Sequence, residues 1–323
     1  MQNHTIKVSI ICTAFNHERL IHSALDGFVM QQTDFKFEVL VHDDASTDGT
    51  AAVIREYAQR YPEIIVPIYQ TENQHSKGVR ITNDILLPKA KGQYLAFCEG
   101  DDFWTDPHKL QRQIDFLDAH PEYTACAHNS IVHDCTGKDP DCLHVIVHDE
   151  HDITLNEALK GMAYAYQTSA LVMRKEYAYP LPHYYDVASS FGFGDWPRAI
   201  WLTQNGPIHF FPEAMSTYRL MSNPSSWSAS THSVKKRLHS LEGNVAMLEA
   251  VKAELPSEYA ELLNQQILER RFAMLELQEC YSEMRKAPYS DLWKSLSKNR
   301  KVKIWIKQLF PWAYHRFKQT GTS

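Results

Sequence analysis

Five aspartates in three settings are the residues of this chain best suited to chemistry. Asp43-Asp44 and Asp101-Asp102 are adjacent acidic pairs, and Asp195 follows a glycine-rich approach, Phe191-Gly192-Phe193-Gly194. Paired carboxylates can offer oxygen ligands to a hard divalent cation, and such a cation lets a polyphosphate sit beside acids that would otherwise repel it. A single carboxylate can instead take the proton of a hydroxyl. Helix ends supply the competing explanation. Both pairs precede helical patterns, where acids are favoured by the helix dipole, and Asp195 could cap a helix carrying Pro197 near its start.

The elements that must position these residues are legible in the first half. Residues 8–12, 37–42, 64–68, 94–98 and 123–127 are short runs of strand type. Between them Leu20, Ile21, Ala24, Leu25, Phe28 and Val29, then residues 51–61, then Leu110, Ile114 and Leu117 recur at helical spacing. Strands alternating with helices predict a mostly parallel sheet, in which ligands bind at the carboxyl ends of the strands. Both acidic pairs fall at that edge. Beyond Ser233, Val234, Leu238, Leu241, Val245, Leu248, Val251 and Leu255 step by three or four, as do Leu263, Ile267, Met274, Leu277 and Tyr281, with Pro256 between the two series. They predict a helical hairpin, able to pack on the sheet domain or on a second copy as a homodimer. The expected organisation is a domain over 1–230, a hairpin over 231–290 and a tail over 291–323.

Composition bounds the rest. At 323 residues, 44% hydrophobic and 22% charged, the chain is of globular type, and disordered or collagen-like classes are excluded. No apolar run approaches the ~20 residues of a membrane span. A polar N-terminus and six cysteines without paired short spacing predict a cytoplasmic protein with reduced thiols. His128, His133, His144, His148 and His151 lie close together with Cys135 and Cys142, but not at the spacings of structural zinc sites. That stretch, with Gln167-Thr168-Ser169, is expected to shape an acceptor site.

The net charge of −6 divides unevenly: residues 291–323 carry +7 and the remainder −13. An acidic body of that size argues against a nucleic-acid partner. In the tail the cations alternate with Trp293, Trp305, Phe310, Trp312, Tyr314 and Phe317. Indoles and cations together suit peripheral binding to an anionic inner-leaflet surface. The competing expectation is that the aromatics pack on the hairpin.

Three ordered segments carry a resemblance: Val8-Ser9-Ile10-Ile11-Cys12-Thr13-Ala14-Phe15-Asn16, Asp43-Asp44-Ala45-Ser46-Thr47-Asp48-Gly49-Thr50 and Glu99-Gly100-Asp101-Asp102-Phe103-Trp104. In order and spacing they resemble family 2 glycosyltransferases of the GT-A fold, over roughly residues 5–230. The resemblance implies an α/β, Rossmann-like, mostly parallel sheet flanked by helices, here with a C-terminal helical extension. It implies an inverting transferase that moves a sugar from a nucleotide-sugar donor, a UDP-sugar, to a hydroxyl of a glycan or lipid-linked acceptor in bacterial surface polysaccharide or lipopolysaccharide assembly. The implied cofactor is Mn²⁺ or Mg²⁺ on Asp102 and Asp101. Donor contacts fall to Thr13, Phe15, Asn16, Asp44, Lys77, Arg80, Asp101 and Arg219, and Asp195 becomes the base that deprotonates the acceptor. The chain departs from the pattern at Glu99, where relatives often have Asp, and at Met221, where they have His. Two rival classes remain: a sugar nucleotidyltransferase, against which Thr13-Ala14-Phe15-Asn16 lacks a phosphate-binding glycine, and a non-catalytic assembly protein.

Overall fold

Val8, Ile10, Cys12 and Ala14 alternate along one strand, β1 (Ile6–Ala14), and are buried with Ile21, Ala24, Leu25 and Phe28 of α1 (Ile21–Val29). At roughly 1.5–3 kcal/mol for each large apolar side chain removed from water, this seam is a principal source of stability for the sheet. A computed structural model describes residues 5–161, 166–220 and 233–309, which divide into two units, Met1–Ser230 and Thr231–Ser323.

In the first unit the remaining strands are β2 (Lys36–Asp43), β3 (Ile65–Tyr69), β4 (Tyr94–Phe97), β5 (Phe103–Trp104), β6 (Ala125–Asp134), β7 (Cys142–Leu143), β8 (His151–Ile153), β9 (Val172–Arg174) and β10 (Ile208–Leu220). They form one sheet in the order β3-β2-β1-β4-β9-β6-β10-β5, with β7 beside β6 and β8 beside β10. Neighbours from β3 to β4 run parallel, as do β6 and β10, while β5, β7, β8 and β9 pair antiparallel. Side chains of α2 (Thr50–Arg60) and α3 (Lys109–Ala119) share the core that α1 enters.

The strand expected over 123–127 extends to Asp134. Its second half is hidden from hydrophobicity because His128, Asn129 and Ser130 are polar yet fully buried. Ser130 is satisfied across the sheet: its hydroxyl lies 2.9 Å from that of Ser216, which lies 3.1 Å from that of Ser169. Buried hydroxyls bonded to one another replace the apolar contacts a strand interior ordinarily uses. β10 was invisible for a related reason. Pro212 interrupts it, and register shifts between Phe211 and Ser216 break its alternation.

The short β5 is locked from several sides. Trp104 is almost fully buried, packs edge-on to Phe28 at 5.0 Å, and donates its indole N–H to Ser169 O at 2.8 Å. The wholly buried Lys109 holds its ammonium 4.0 Å from the Trp104 ring and donates to Gln113 Oε1 at 2.7 Å. Gly27 of α1 completes the clamp, since a Cβ there would lie 2.8 Å from Trp104 O.

After α4 (Leu155–Lys160), α5 (His183–Ser190) and α6 (Asp195–Asn205), the second unit opens with α7 (Val234–Glu254), capped by Ser233, whose hydroxyl accepts from Lys236 N at 3.1 Å. It continues through α8 (Ala260–Leu277), α9 (Ser290–Ser295) and α10 (Lys298–Leu309). Phe272, Tyr281, Met284 and Ile304 form a small core, with Leu292, Trp293 and Leu296 against it. Leu292, Trp293, Leu296 and Ile304, within the expected tail, thus pack with residues of the expected hairpin. Phe310, Trp312, Tyr314 and Phe317 lie outside the described residues.

Candidate active site

The carboxyl ends of β1, β2 and β4 meet as the parallel pairing requires, and the loops leaving them are fastened to one another. Asn16 adopts left-handed backbone at φ 56°. Its N–H donates to Ser46 Oγ at 2.9 Å and its side-chain carbonyl accepts from Thr47 N at 2.8 Å. Asn16 thus clips the loop after β1 to the loop after β2, which leaves Phe15, 39% exposed, presented to solvent.

Asp44 is buried and its two carboxylate oxygens accept backbone N–H groups from Gln74 at 2.7 Å and His75 at 3.0 Å. Its own N–H donates to Ala14 O at 3.0 Å. Its neighbour Asp43 keeps Oδ1 buried without a hydrogen-bond partner, and so do both ring nitrogens of the fully buried His42. Lys77 pairs with Glu72, and Arg80 with Asp84 at 3.1 Å and Asp186 at 2.6 Å. Those two cations are engaged with acids of their own rather than directed at the Asp101-Asp102 pair.

The loop after β4 carries the acids. Gly100 donates to Thr13 O at 2.9 Å, and a Cβ on it would lie 2.6 Å from Ile21 Cδ1 and 3.0 Å from His17 Nδ1, so glycine lets this loop close on β1. Asp101 is partly exposed, with His17 Nε2 4.0 Å from its carboxylate. Asp102 is buried, and its Oδ1 accepts the backbone N–H of Arg219 at 2.9 Å. The Arg219 guanidinium donates to Asp101 O at 2.8 Å and Ser23 Oγ at 3.0 Å, and stacks 4.3 Å from the Phe103 ring. Arg219 therefore builds the acidic loop from behind. Met221 and 225–228 lie outside the described residues.

Asp195 is the first residue of α6. Gly194 takes the capping position, and its φ of −138° is ordinary backbone. The Asp195 carboxylate is bonded by the Thr168 side chain instead of capping the helix. It is open to solvent, yet protein surrounds it closely enough that lost hydration raises its carboxyl, with Arg198 and Thr168 pulling it back. Arg198 is itself buried and donates to Tyr185 Oη at 2.7 Å and Asn83 Oδ1 at 3.1 Å.

Electrostatics join these carboxyls into one cluster. Burial, then Asp195, then Asp101 push Glu99 up to about 8. Burial, then Asp101, then Glu99 raise Asp102, against the opposing Arg219. Acids that raise one another in a sheltered place favour either bound protons or a bound cation. Among the described residues no three His, Cys, Asp or Glu side chains are grouped to hold a metal by themselves. The arrangement suits an ion that completes its shell with phosphate oxygens, as Mg²⁺ commonly does with one or two protein carboxylates.

Two participants escaped sequence reasoning. Tyr166 keeps its hydroxyl buried without a hydrogen-bond partner, and Asp195 contributes to raising it. Its only signal was proximity to Gln167-Thr168-Ser169. In the sequence Glu99 stands out only as a departure from a motif, and its coupling to Asp195 depends on a fold contact no spacing encodes. The clustered histidines are dispersed: His133 pairs with Asp141, His144 with Gln167, and His128 with Asn129 O. A cavity of about 560 Å³ lined by Gln93, Tyr94, Arg174 and Tyr179 lies at the amino end of β4, away from the acids. There Arg174 already donates to carbonyls of Tyr123, Leu117 and His120.

Comparison with known proteins agrees with this geometry. A protein of Mycobacterium tuberculosis, Rv1520, is 38% identical over 66% of this chain, which spans 58% of that protein's length. A putative teichuronic acid biosynthesis glycosyltransferase of Bacillus subtilis, TuaG, is 30% identical over 50% of this chain and 60% of its own. Among solved structures, residues 1–349 of TarS from S. aureus, in complex with UDP-GlcNAc, superpose with a TM-score of 0.61 at 17% identity, over 83% of this chain and 73% of that one. The mannosyltransferase PcManGT from Pyrobaculum calidifontis, in complex with GDP-Man and Mn²⁺, gives 0.57 at 16%, over 96% and 88%. These likenesses establish the GT-A fold. The family model described as glycosyl transferase family 2 matches residues 9–179, more than half of the chain, and the chain belongs to that family.

Proposed function

We propose that this protein is an inverting, metal-dependent glycosyltransferase that moves a sugar from a UDP-sugar to a hydroxyl of a glycan or lipid-linked acceptor in the assembly of a surface polysaccharide. The observation that carries the reading is the placement of Asp101 and Asp102 on the loop that leaves the carboxyl end of β4 and closes on β1, with Asp102 buried against Arg219 and Glu99 raised by its neighbours Asp195 and Asp101. TuaG supports the polysaccharide setting by its name, and TarS and PcManGT support a nucleotide-sugar donor and Mn²⁺ by the ligands in theirs.

In this reading Phe15 stacks on the donor base, and Thr13 with Asp44 reads its edge. Asp44 spends one lone pair of each oxygen on the 74–75 backbone and retains others to accept a ring N–H. Asn16 acts by holding the two loops together. Lys77 and Arg80 can reach base or phosphate only by leaving their acid partners. Asp101 and Asp102 would hold Mg²⁺ or Mn²⁺, with Arg219 fixing both acids in place. The ion, when bound, offsets the charge of the diphosphate and acts as a Lewis acid towards it. Asp195 takes the proton of the acceptor hydroxyl as that oxygen bonds to the anomeric carbon and the nucleotide leaves with the electron pair of the broken bond. A carboxyl raised above its ordinary value is better matched to that role near neutral pH.

Calorimetry of UDP binding tests the reading. Wild-type protein with Mn²⁺ should bind UDP, whereas EDTA-treated protein, or Asp102→Ala with Mn²⁺ present, should lose most of the affinity. Equal binding in all three would overturn the metal-bridged site.

A further inference from the structure

The described part of the basic segment has two unlike faces. Helix α10 turns its Ile304 into the small core of the helical unit, and Arg300 on the same side pairs with Glu276 at 2.5 Å. On the opposite side Val302, Trp305, Ile306 and Leu309 are 53, 56, 45 and 67% exposed. At about 100° per residue, positions spaced three, four and seven apart make one continuous stripe. This stripe has nothing apolar over it among the described residues. Lys301 and Lys303 flank its two sides, and residues 298–309 hold five cations and no acid. Lys298 and Lys303 have no acidic partner among the described residues.

We infer that α10 docks flat on an anionic lipid bilayer, with Val302, Trp305, Ile306 and Leu309 entering the headgroup boundary and the flanking lysines on lipid phosphates. Charge selects this occupant over a second copy of the chain. Two such faces brought together would set Lys298 and Lys303 of each copy against their counterparts with no acid on the helix between them, whereas anionic headgroups supply the missing countercharge. Trp305 suits the position, because its indole prefers the boundary between headgroups and acyl chains. A helix lying in the interface calls for this combination of apolar stripe and cationic flanks. A bilayer partner deepens the lipid-linked acceptor proposed above and rests on it for its biological sense, but not for its physics.

Flotation of the full chain with vesicles decides the matter. Wild type should float with vesicles of phosphatidylglycerol and phosphatidylcholine, stay behind with phosphatidylcholine alone, and be released by high salt. The double variant Trp305→Ser/Ile306→Ser removes exposed side chains only, so its melting temperature and sedimentation should match wild type. Its partition onto anionic vesicles should fall roughly tenfold or more. Lys298→Glu/Lys303→Glu should lose binding to a similar extent. A wild type that does not float, a serine variant that floats as before, or a serine variant that changes oligomeric state would each overturn the assignment, the last by marking the stripe as a subunit contact. UDP binding measured on the same preparations keeps failure here separate from failure of the transferase reading.

Discussion

Asp195 and Glu99 show how much a carboxyl's neighbours decide. Asp195 begins α6 but caps nothing, so its role can be tested without dismantling the helix. Asp195→Asn should lower sugar transfer by roughly 10²–10⁴, the range for losing acid–base assistance, and leave the melting temperature and UDP affinity near wild type. A large drop in melting temperature with transfer preserved would return Asp195 to a structural role. The acid cluster also fixes a pH dependence. Glu99 at about 8, with Asp102 and Asp195 raised, means that the folded protein retains protons the unfolded chain releases above roughly pH 4.3. Their contribution to stability is therefore complete below that value and lost as pH rises towards 8. Metal-free protein should melt at progressively lower temperature between about pH 5 and 8. Mn²⁺ with UDP needs the ionised carboxylates, so its stabilising shift should be larger at pH 8 than at pH 6 by thermal melting. A shift independent of pH would show that these acids do not meet the ion.

At the scale of elements, β1 to β4 and the start of β6 were readable and the rest of the sheet was not. β1, β2 and β4 announce themselves because both faces are covered and their sequences run apolar, and α1 to α3 because one face is. β6 and β10 conceal themselves in buried serines, a histidine and a proline, and the serines find their hydrogen-bond partners 47 and 86 residues away. The same divide separates the site residues. Asp101 and Asp102 could be found by their place at a strand end, while the backbone bonds that tie up Asp44 and the ion pairs that engage Lys77 and Arg80 are tertiary facts. Gly27 gives the element scale its own prediction. A methyl group there meets the backbone of Trp104, which cannot swing aside as a side chain can. Gly27→Ala should destabilise the first unit by about 1–3 kcal/mol in denaturant unfolding. Because Trp104 follows Asp102 and Phe103 directly, it should also weaken metal-dependent UDP binding. Unchanged stability and binding would mean that α1 can shift on β5 freely.

Across the whole molecule, charge and shape divide between the two units along the chain. The stretch up to residue 290 is strongly acidic, and the basic excess is concentrated after it, on helices that are partly built into a core. Ile304 and the Arg300–Glu276 pair fix the rotation of α10 about its own axis, so the stripe is displayed before any surface arrives. Short amphipathic peptides usually fold as they adsorb, giving up roughly 1–2 kcal/mol of backbone entropy for every residue ordered. Here that ordering is complete in solution for residues 298–309. Adsorption should then proceed without any gain of helix from this segment. Its far-ultraviolet dichroism should be indifferent to vesicles, and the helix should behave less as a ligand that condenses on a surface than as a keel already cut to shape.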